Sequence, residues 1–151
     1  MPMDRLSLTE VQRLLERSEI PFQLTDTAYG RIDTYFQRRY IWNQRHSIVG
    51  PQAAAKPWVI DFVDAAALMI LIEDEMTVYD VGAGSGIPGM LVALMSPKIS
   101  VRLVEPLAKR CAFLKSVIHQ EGLKNVTVDR NRWPVSTMGS KQVVSRAVVS
   151  P

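Results

Sequence analysis

An α/β fold, with a parallel sheet preceded by an N-terminal helical cap, is predicted by three observations on the 151-residue sequence. The first 72 residues carry apolar side chains at helical spacings. At Thr77 the pattern changes to short β-rich runs that alternate with helical ones, and the first of these runs closes on a cluster of glycines. Strands alternating with helices imply right-handed crossovers and hence a parallel sheet. The expected organisation is a cap over 1–72 and a sheet-bearing core over 73–151, forming one compact unit.

Each element has its own signal. Ser7 and Glu10 fit a capping box that opens a first helix, with Leu8, Val11, Leu14 and Leu15 on one face and Pro21 as its stop. A second helix is predicted from Asp26 to about Arg45, with Tyr29, Ile32, Phe36 and Tyr40 at spacings of three and four. Gly50-Pro51 reads as a turn, and Pro57 suits the first turn of a third helix that runs through Leu71. The core then reads as strand Thr77 to Val81, helix Pro88 to Met95, strand Ser100 to Glu105, helix Leu107 to Glu121 with Gly122 as its stop, and strand Asn125 to Asp129. A fourth strand is predicted from Lys141 to Val149.

Composition excludes several classes. With 47% hydrophobic and 22% charged residues the chain is an ordinary globular one, and a chain of this length buries about 70% of its unfolded surface without help from a metal or disulfide. Cys111 stands alone, which excludes a disulfide framework, and the opening MPMDRLSLTE lacks the apolar stretch of a secretory signal. The longest apolar run, Ala65 to Ile72, has eight residues, where a membrane-spanning helix needs about 20. The expected setting is a reducing cytoplasm, with no membrane span and no metal site. Net charge is +3, yet residues 101–151 carry nine basic and three acidic side chains. That asymmetry points to an anionic partner for the C-terminal part, with nucleic acid the first candidate.

The glycine cluster carries the chemistry. Asp80-Val81-Gly82-Ala83-Gly84-Ser85-Gly86-Ile87-Pro88-Gly89 removes side chains at the end of a central strand, so a ligand can approach the backbone while the following helix aims its first amides at the same place. Two parses stay open. Gly84, Gly86 and Gly89 match G-x-G-x-x-G of nicotinamide-dependent oxidoreductases, whereas Gly82, Gly84 and Gly86 match D-x-G-x-G-x-G of methyltransferases that use S-adenosylmethionine. Both need Glu105, 19 residues beyond Gly86, to accept hydrogen bonds from ribose hydroxyls. Asp80 favours the second parse, because a carboxylate suits a cationic sulfonium donor better than a pyrophosphate.

The sequence resembles the bacterial 16S rRNA methyltransferase G family, also called glucose-inhibited division protein B. Four stretches carry the resemblance: Trp42-Asn43, DVGAGSGIPGMLVALMSP from Asp80 to Pro97, LVEPLAKRCAFLKSV from Leu103 to Val117, and Ser145-Arg146-Ala147. It implies a class I, Rossmann-like methyltransferase fold with strand order 3-2-1-4, S-adenosylmethionine as donor, N7 of a guanosine in small-subunit rRNA as acceptor, and the rRNA or ribosomal subunit as partner. Guanine N7 already presents a lone pair, so no catalytic base is expected and none is visible; Cys111 reads as a core thiol.

By position in that family, Gly82 and Ile87 match loop residues that contact the donor, together with Asp80, Ala83, Gly84 and Gly86, and Glu105 matches the ribose carboxylate. Trp133 falls near the adenine. Arg146 is the candidate for the donor carboxylate or an RNA phosphate, and Arg130 and Arg132 flank the same mouth as RNA-binding candidates. The chain departs from the family pattern at Ser47-Ile48-Val49 in place of Asn-Leu-Thr, at Ile60 and Asp61 in place of an Arg-His pair before Asp64-Ala65, and at Trp133, Pro134 and Val135 in place of an acidic pair. Family members continue for further strands beyond the position of Pro151. A fragment, a short form whose exposed fourth-strand edge is covered by a second copy or another chain, and an inactive paralogue acting as a binding protein are therefore all open from sequence.

Overall fold

The computed structural model describes residues 1–130 and the backbone of a strand at 141–145. The sequence of elements is α1 (Leu8–Arg17), α2 (Asp26–His46), α3 (Pro51–Ala55), a π-helical turn (Trp58–Phe62), α4 (Val63–Met69), β1 (Thr77–Val81), α5 (Gly89–Met95), β2 (Ser100–Val104), α6 (Ala108–Glu121), β3 (Val126–Asp129) and β4 (Lys141–Ser145). The four strands form the parallel sheet that the sequence predicts, in the order β3-β2-β1-β4 that the family resemblance implies. Helices α5 and α6 lie against the sheet, and α2 lies across both of them.

Local chemistry explains the caps. Ser7 Oγ accepts the Glu10 N–H at 3.2 Å while Glu10 Oε2 accepts the Ser7 N–H at 2.7 Å, the reciprocal pair that opens α1. Thr25 Oγ1 accepts the Ala28 N–H at 3.1 Å at the start of α2. The buried stripe of α2 is Ala28, Ile32, Tyr35, Phe36 and Arg39, so its centre is rotated from the Tyr29-Ile32-Phe36-Tyr40 stripe of the sequence reading. Tyr29 and Tyr40 sit at its margins because their hydroxyls reach backbone: Tyr29 donates to the Leu6 carbonyl at 2.7 Å and Tyr40 to that of Met1 at 2.8 Å.

The third predicted helix, Pro57 through Leu71, is found as a π-helical turn running into α4, with α3 a separate short helix ahead of it. Pro51 begins α3 rather than closing a turn, since proline suits a first helical position, and the chain then winds more widely over Trp58–Phe62 before α4. The wide turn sends Trp58, Asp61 and Phe62 inward together. Trp58 packs against Tyr29, Phe36 and Phe62 with ring centroids 5.1–5.4 Å apart. One hydrophobic cluster runs from Val11 in α1 to Val126 in β3, so the boundary at 72/73 marks a change of element type and not a gap between cores.

Asn125, just before β3, holds the edge of the sheet to the end of α5: its Nδ2 lies within 3.1 Å of the carbonyl oxygens of Ala93, Ser96 and Ile99. Strand β4 pairs with β1 on one side, Val81 facing Ser145. The predicted extension of that strand to Val149 lies outside the described residues, as do Arg132, Trp133 and Arg146.

Helix α5 approaches the sheet so closely that no side chain fits at Gly89. A Cβ there would stand 2.5 Å from Leu103 Cδ2, 2.7 Å from Asp80 Oδ2 and 2.8 Å from Asp80 Cβ. Gly89→Ala should destabilise the fold by about 1–3 kcal/mol, the usual cost of overpacking a tight core, measured by urea denaturation. An unchanged midpoint would contradict this packing.

Candidate functional site

The glycine loop leaves the end of β1 and folds back onto the end of β2. The Gly82 and Ala83 N–H groups both donate to the Val104 carbonyl, at 2.9 and 3.1 Å, and the Gly86 N–H donates to the Ala83 carbonyl at 2.8 Å. Such a tight reversal needs positive φ, which Gly84 at 59° and Gly86 at 105° adopt. At Gly86 space is also short: a Cβ would meet Met90 Cβ at 2.8 Å and Leu114 Cδ2 at 3.0 Å. Around Gly84 the nearest atom to such a Cβ is the Gly82 carbonyl oxygen at 3.9 Å, so the loop is open at that point.

Glu105 follows β2 and comes to the open part of the loop. Its Oε2 accepts the Gly84 N–H at 3.3 Å, its Oε1 accepts the Leu107 N–H at 3.4 Å, and the Arg110 guanidinium stands 3.6 Å from Oε1. These are long contacts on a buried carboxylate, so both oxygens retain lone pairs for further donors. The Cys111 thiol donates to the Glu105 backbone carbonyl at 2.8 Å, and burial pushes that thiol up from its ordinary pKa, consistent with a core thiol.

The structure therefore brings the buried Glu105 carboxylate against the partly open Gly82 and Gly84, with Ala83, Gly86 and Ile87 turned into the interior. Arg130 is exposed one residue past Asp129, whose carbonyl accepts the Glu105 N–H at 2.9 Å, so it stands on the rim. Two sequence expectations are corrected. The N-terminus of α5 does not offer its first amide to a ligand, because the Gly89 N–H is donated to Asp80 Oδ2 at 2.8 Å inside the protein. Asp80 has no solvent exposure, so its carboxylate supports the loop from below instead of facing a sulfonium at the surface.

A second set of contacts grips the loop from the helical cap. The Tyr35 hydroxyl donates to the Ser85 carbonyl at 2.6 Å, and Arg39 Nη1 lies 3.4 Å from Ser85 Oγ. Arg39 also pairs with Asp61 at 2.7 Å and donates to the Ala53 carbonyl at 3.0 Å. The sequence reading did not single out Tyr35, Arg39 or Ser85. The available signal was a charged residue set among the apolar positions of α2, next to Tyr35 and Phe36 in helical spacing.

Comparison with known proteins decides between the two parses of the loop. The family model described as rRNA small subunit methyltransferase G matches residues 29–151. The chain belongs to that family. It is 37% identical over 101 residues to the ribosomal RNA small subunit methyltransferase G of Acidothermus cellulolyticus, covering 67% of this chain and 46% of that protein. The enzyme of the same name from Kineococcus radiotolerans is 32% identical, over 88% of this chain and 55% of its own length. The chain thus spans about half the length of these relatives.

Solved structures agree on the fold. A protein-L-isoaspartate O-methyltransferase superposes with a TM-score of 0.54 at 15% identity, over 83% of this chain and 42% of its own. Coclaurine N-methyltransferase does so with 0.53 at 15%, over 91% and 48%. The fold is that of the class I methyltransferases, and the nicotinamide reading of Gly84, Gly86 and Gly89 is not favoured. Among the described residues no helix is long and apolar enough to cross a membrane.

Burial raises the Asp80 carboxyl from its ordinary value to about 7, with Glu105 adding to the rise and the Gly89 amide opposing it. Its Oδ1 is buried with no hydrogen-bond partner. The folded protein therefore holds this proton more tightly than the unfolded chain, and stability falls as pH rises from about 4 to about 7. Asp80→Asn removes this titration. Relative to the native chain the variant should gain, at most, roughly 4 kcal/mol between those pH values, at about 1.4 kcal/mol per pKa unit, in urea titrations at each pH. Parallel stability profiles would refute the assignment.

Proposed function

We propose that this chain binds S-adenosylmethionine at the open face formed by Gly82, Gly84 and Glu105, and that it forms part of an enzyme methylating N7 of a guanosine in small-subunit rRNA. The observation that carries the donor site is the Glu105 carboxylate placed 3.3 Å from the Gly84 amide beside a loop with room at Gly84. A carboxylate with unused lone pairs at the end of the second strand fits two vicinal ribose hydroxyls. The donor supplies an electrophilic methyl group on a sulfonium.

The chain's own contribution is binding and orientation. Guanine N7 carries a free lone pair, so no residue has to remove a proton, and alignment can supply up to about 7–11 kcal/mol of the acceleration. Gly82, Ala83, Gly84, Gly86 and Ile87 form the loop, Asp80 holds it from beneath, and Glu105 takes the ribose. Trp133 is assigned to the adenine and Arg146 to the donor carboxylate or an RNA phosphate, by their positions in the family pattern. Arg130 and Arg132 are assigned to rRNA phosphates, supported by the excess of basic residues in 101–151. The reading includes action in the cytoplasm on the rRNA or the ribosomal subunit. It also includes a second copy or another chain along the outer edge of β4, since an unpaired strand edge is a template for pairing.

Titration calorimetry with S-adenosylmethionine and S-adenosylhomocysteine should show binding. Gly84→Asp should fold, because aspartate tolerates positive φ, yet abolish binding by setting a second carboxylate beside Glu105. Glu105→Ala should weaken binding about 100-fold, the loss of two hydrogen bonds to a charged group. Transfer of labelled methyl to deproteinised small-subunit rRNA, mapped to a guanosine N7, tests the acceptor. Binding without transfer would reduce the chain to a donor-binding protein, and no heat at millimolar donor would sink the reading.

A further inference from the structure

We propose that Arg39 and Asp61 are a positioning pair for the glycine loop: the helical cap, and not only the sheet, sets the loop's geometry and through it the affinity for the donor. The deepening to donor affinity rests on the donor site proposed above.

α3, the π-helical turn and the glycine loop all meet at one guanidinium. Arg39 from α2 donates to Asp61 of the π-helical turn at 2.7 Å and to the Ala53 carbonyl of α3 at 3.0 Å, and its other nitrogen lies 3.4 Å from Ser85 Oγ between Gly84 and Gly86. Both charged side chains are almost fully buried. The guanidinium is further fixed over the Phe36 ring, 5.2 Å from its centroid. One turn back on the same helix, Tyr35 donates to the Ser85 carbonyl at 2.6 Å. The loop is thus held at both the side chain and the backbone of Ser85 by residues of the cap.

A buried ion pair is a poor source of net stability compared with apolar packing, and what it does supply is a fixed geometry. Lysine could not replace this arginine, because a planar fork is needed to serve Asp61, Ala53 and Ser85 from one centre. Since Gly84 reaches Glu105 only through a 3.3 Å bond, a small shift at Ser85 is transmitted directly to the face assigned to the donor.

The test uses variants that separate positioning from folding. Ser85→Ala removes the loop end of the contact and leaves the Arg39–Asp61 pair intact; Arg39→Met with Asp61→Leu removes both charges together, so that no unpaired charge is buried. Two readouts are taken: amide hydrogen exchange at Gly84 and Gly86 in the ligand-free protein, and the Kd for S-adenosylhomocysteine, each beside the Tm. We expect faster exchange at those two amides in both variants and affinity lowered about three- to tenfold, the equivalent of one modest hydrogen bond, with Tm unchanged in Ser85→Ala. Exchange at native rates in both variants would overturn the proposal whether or not the donor binds. Faster exchange in the variants, with no binding of S-adenosylhomocysteine by the native chain, would support the brace on the loop and overturn its link to the donor. Native affinity in both variants would also overturn that link.

Discussion

The contact between the Asp80 carboxylate and the Gly89 amide, 2.8 Å long and fully buried, is the constraint from which the rest of the site is built. It joins the end of β1 to the first turn of α5, and the chain between them has to reverse within eight residues. That reversal forces Gly84 and Gly86 into positive φ and turns two amides back onto the Val104 carbonyl. Glu105, the residue that follows Val104, is thereby brought to the loop, where it accepts the Gly84 N–H. A carboxylate held without water and with one oxygen unpartnered is costly, and the raised pKa of Asp80 records that cost.

The site is layered. The open face at Gly84 lies at the mouth with the buried Glu105 carboxylate against it, Asp80 lies beneath, and the Tyr35 and Arg39 side chains press on the loop from the helical layer. The cap is therefore more than cover for the sheet. Its aromatic cluster around Trp58 fixes the π-helical turn that carries Asp61, and Asp61 in turn orients Arg39.

Membership of the rRNA small subunit methyltransferase G family and the class I fold give the loop its meaning. The geometry adds which members of the motif face outward. Gly82 and Gly84 are partly open, while Ala83, Gly86 and Ile87 are interior. Motif letters alone treat these five residues alike.

While the strand order was legible only through the family resemblance, the sequence by itself determined the helices and strands, the parallel class of the sheet and the placing of Glu105 at the end of the strand after the glycine loop. Those features depend on local signals: period-two runs, the capping box at Ser7, and a spacing of 19 residues set by one helix and one strand. Three things were decided only in the tertiary structure. The wider winding of the third helix at Trp58–Phe62 reflects how its aromatics pack against Tyr29 and Phe36 of α2, which helical spacing does not encode. The direction of Asp80 depends on α5 approaching within reach of its carboxylate. The meeting of Arg39, Asp61 and Ser85 joins positions 22 and 46 residues apart, and a long-range contact between polar side chains leaves no periodic trace, since it exists only once the apolar layers have brought the three segments together.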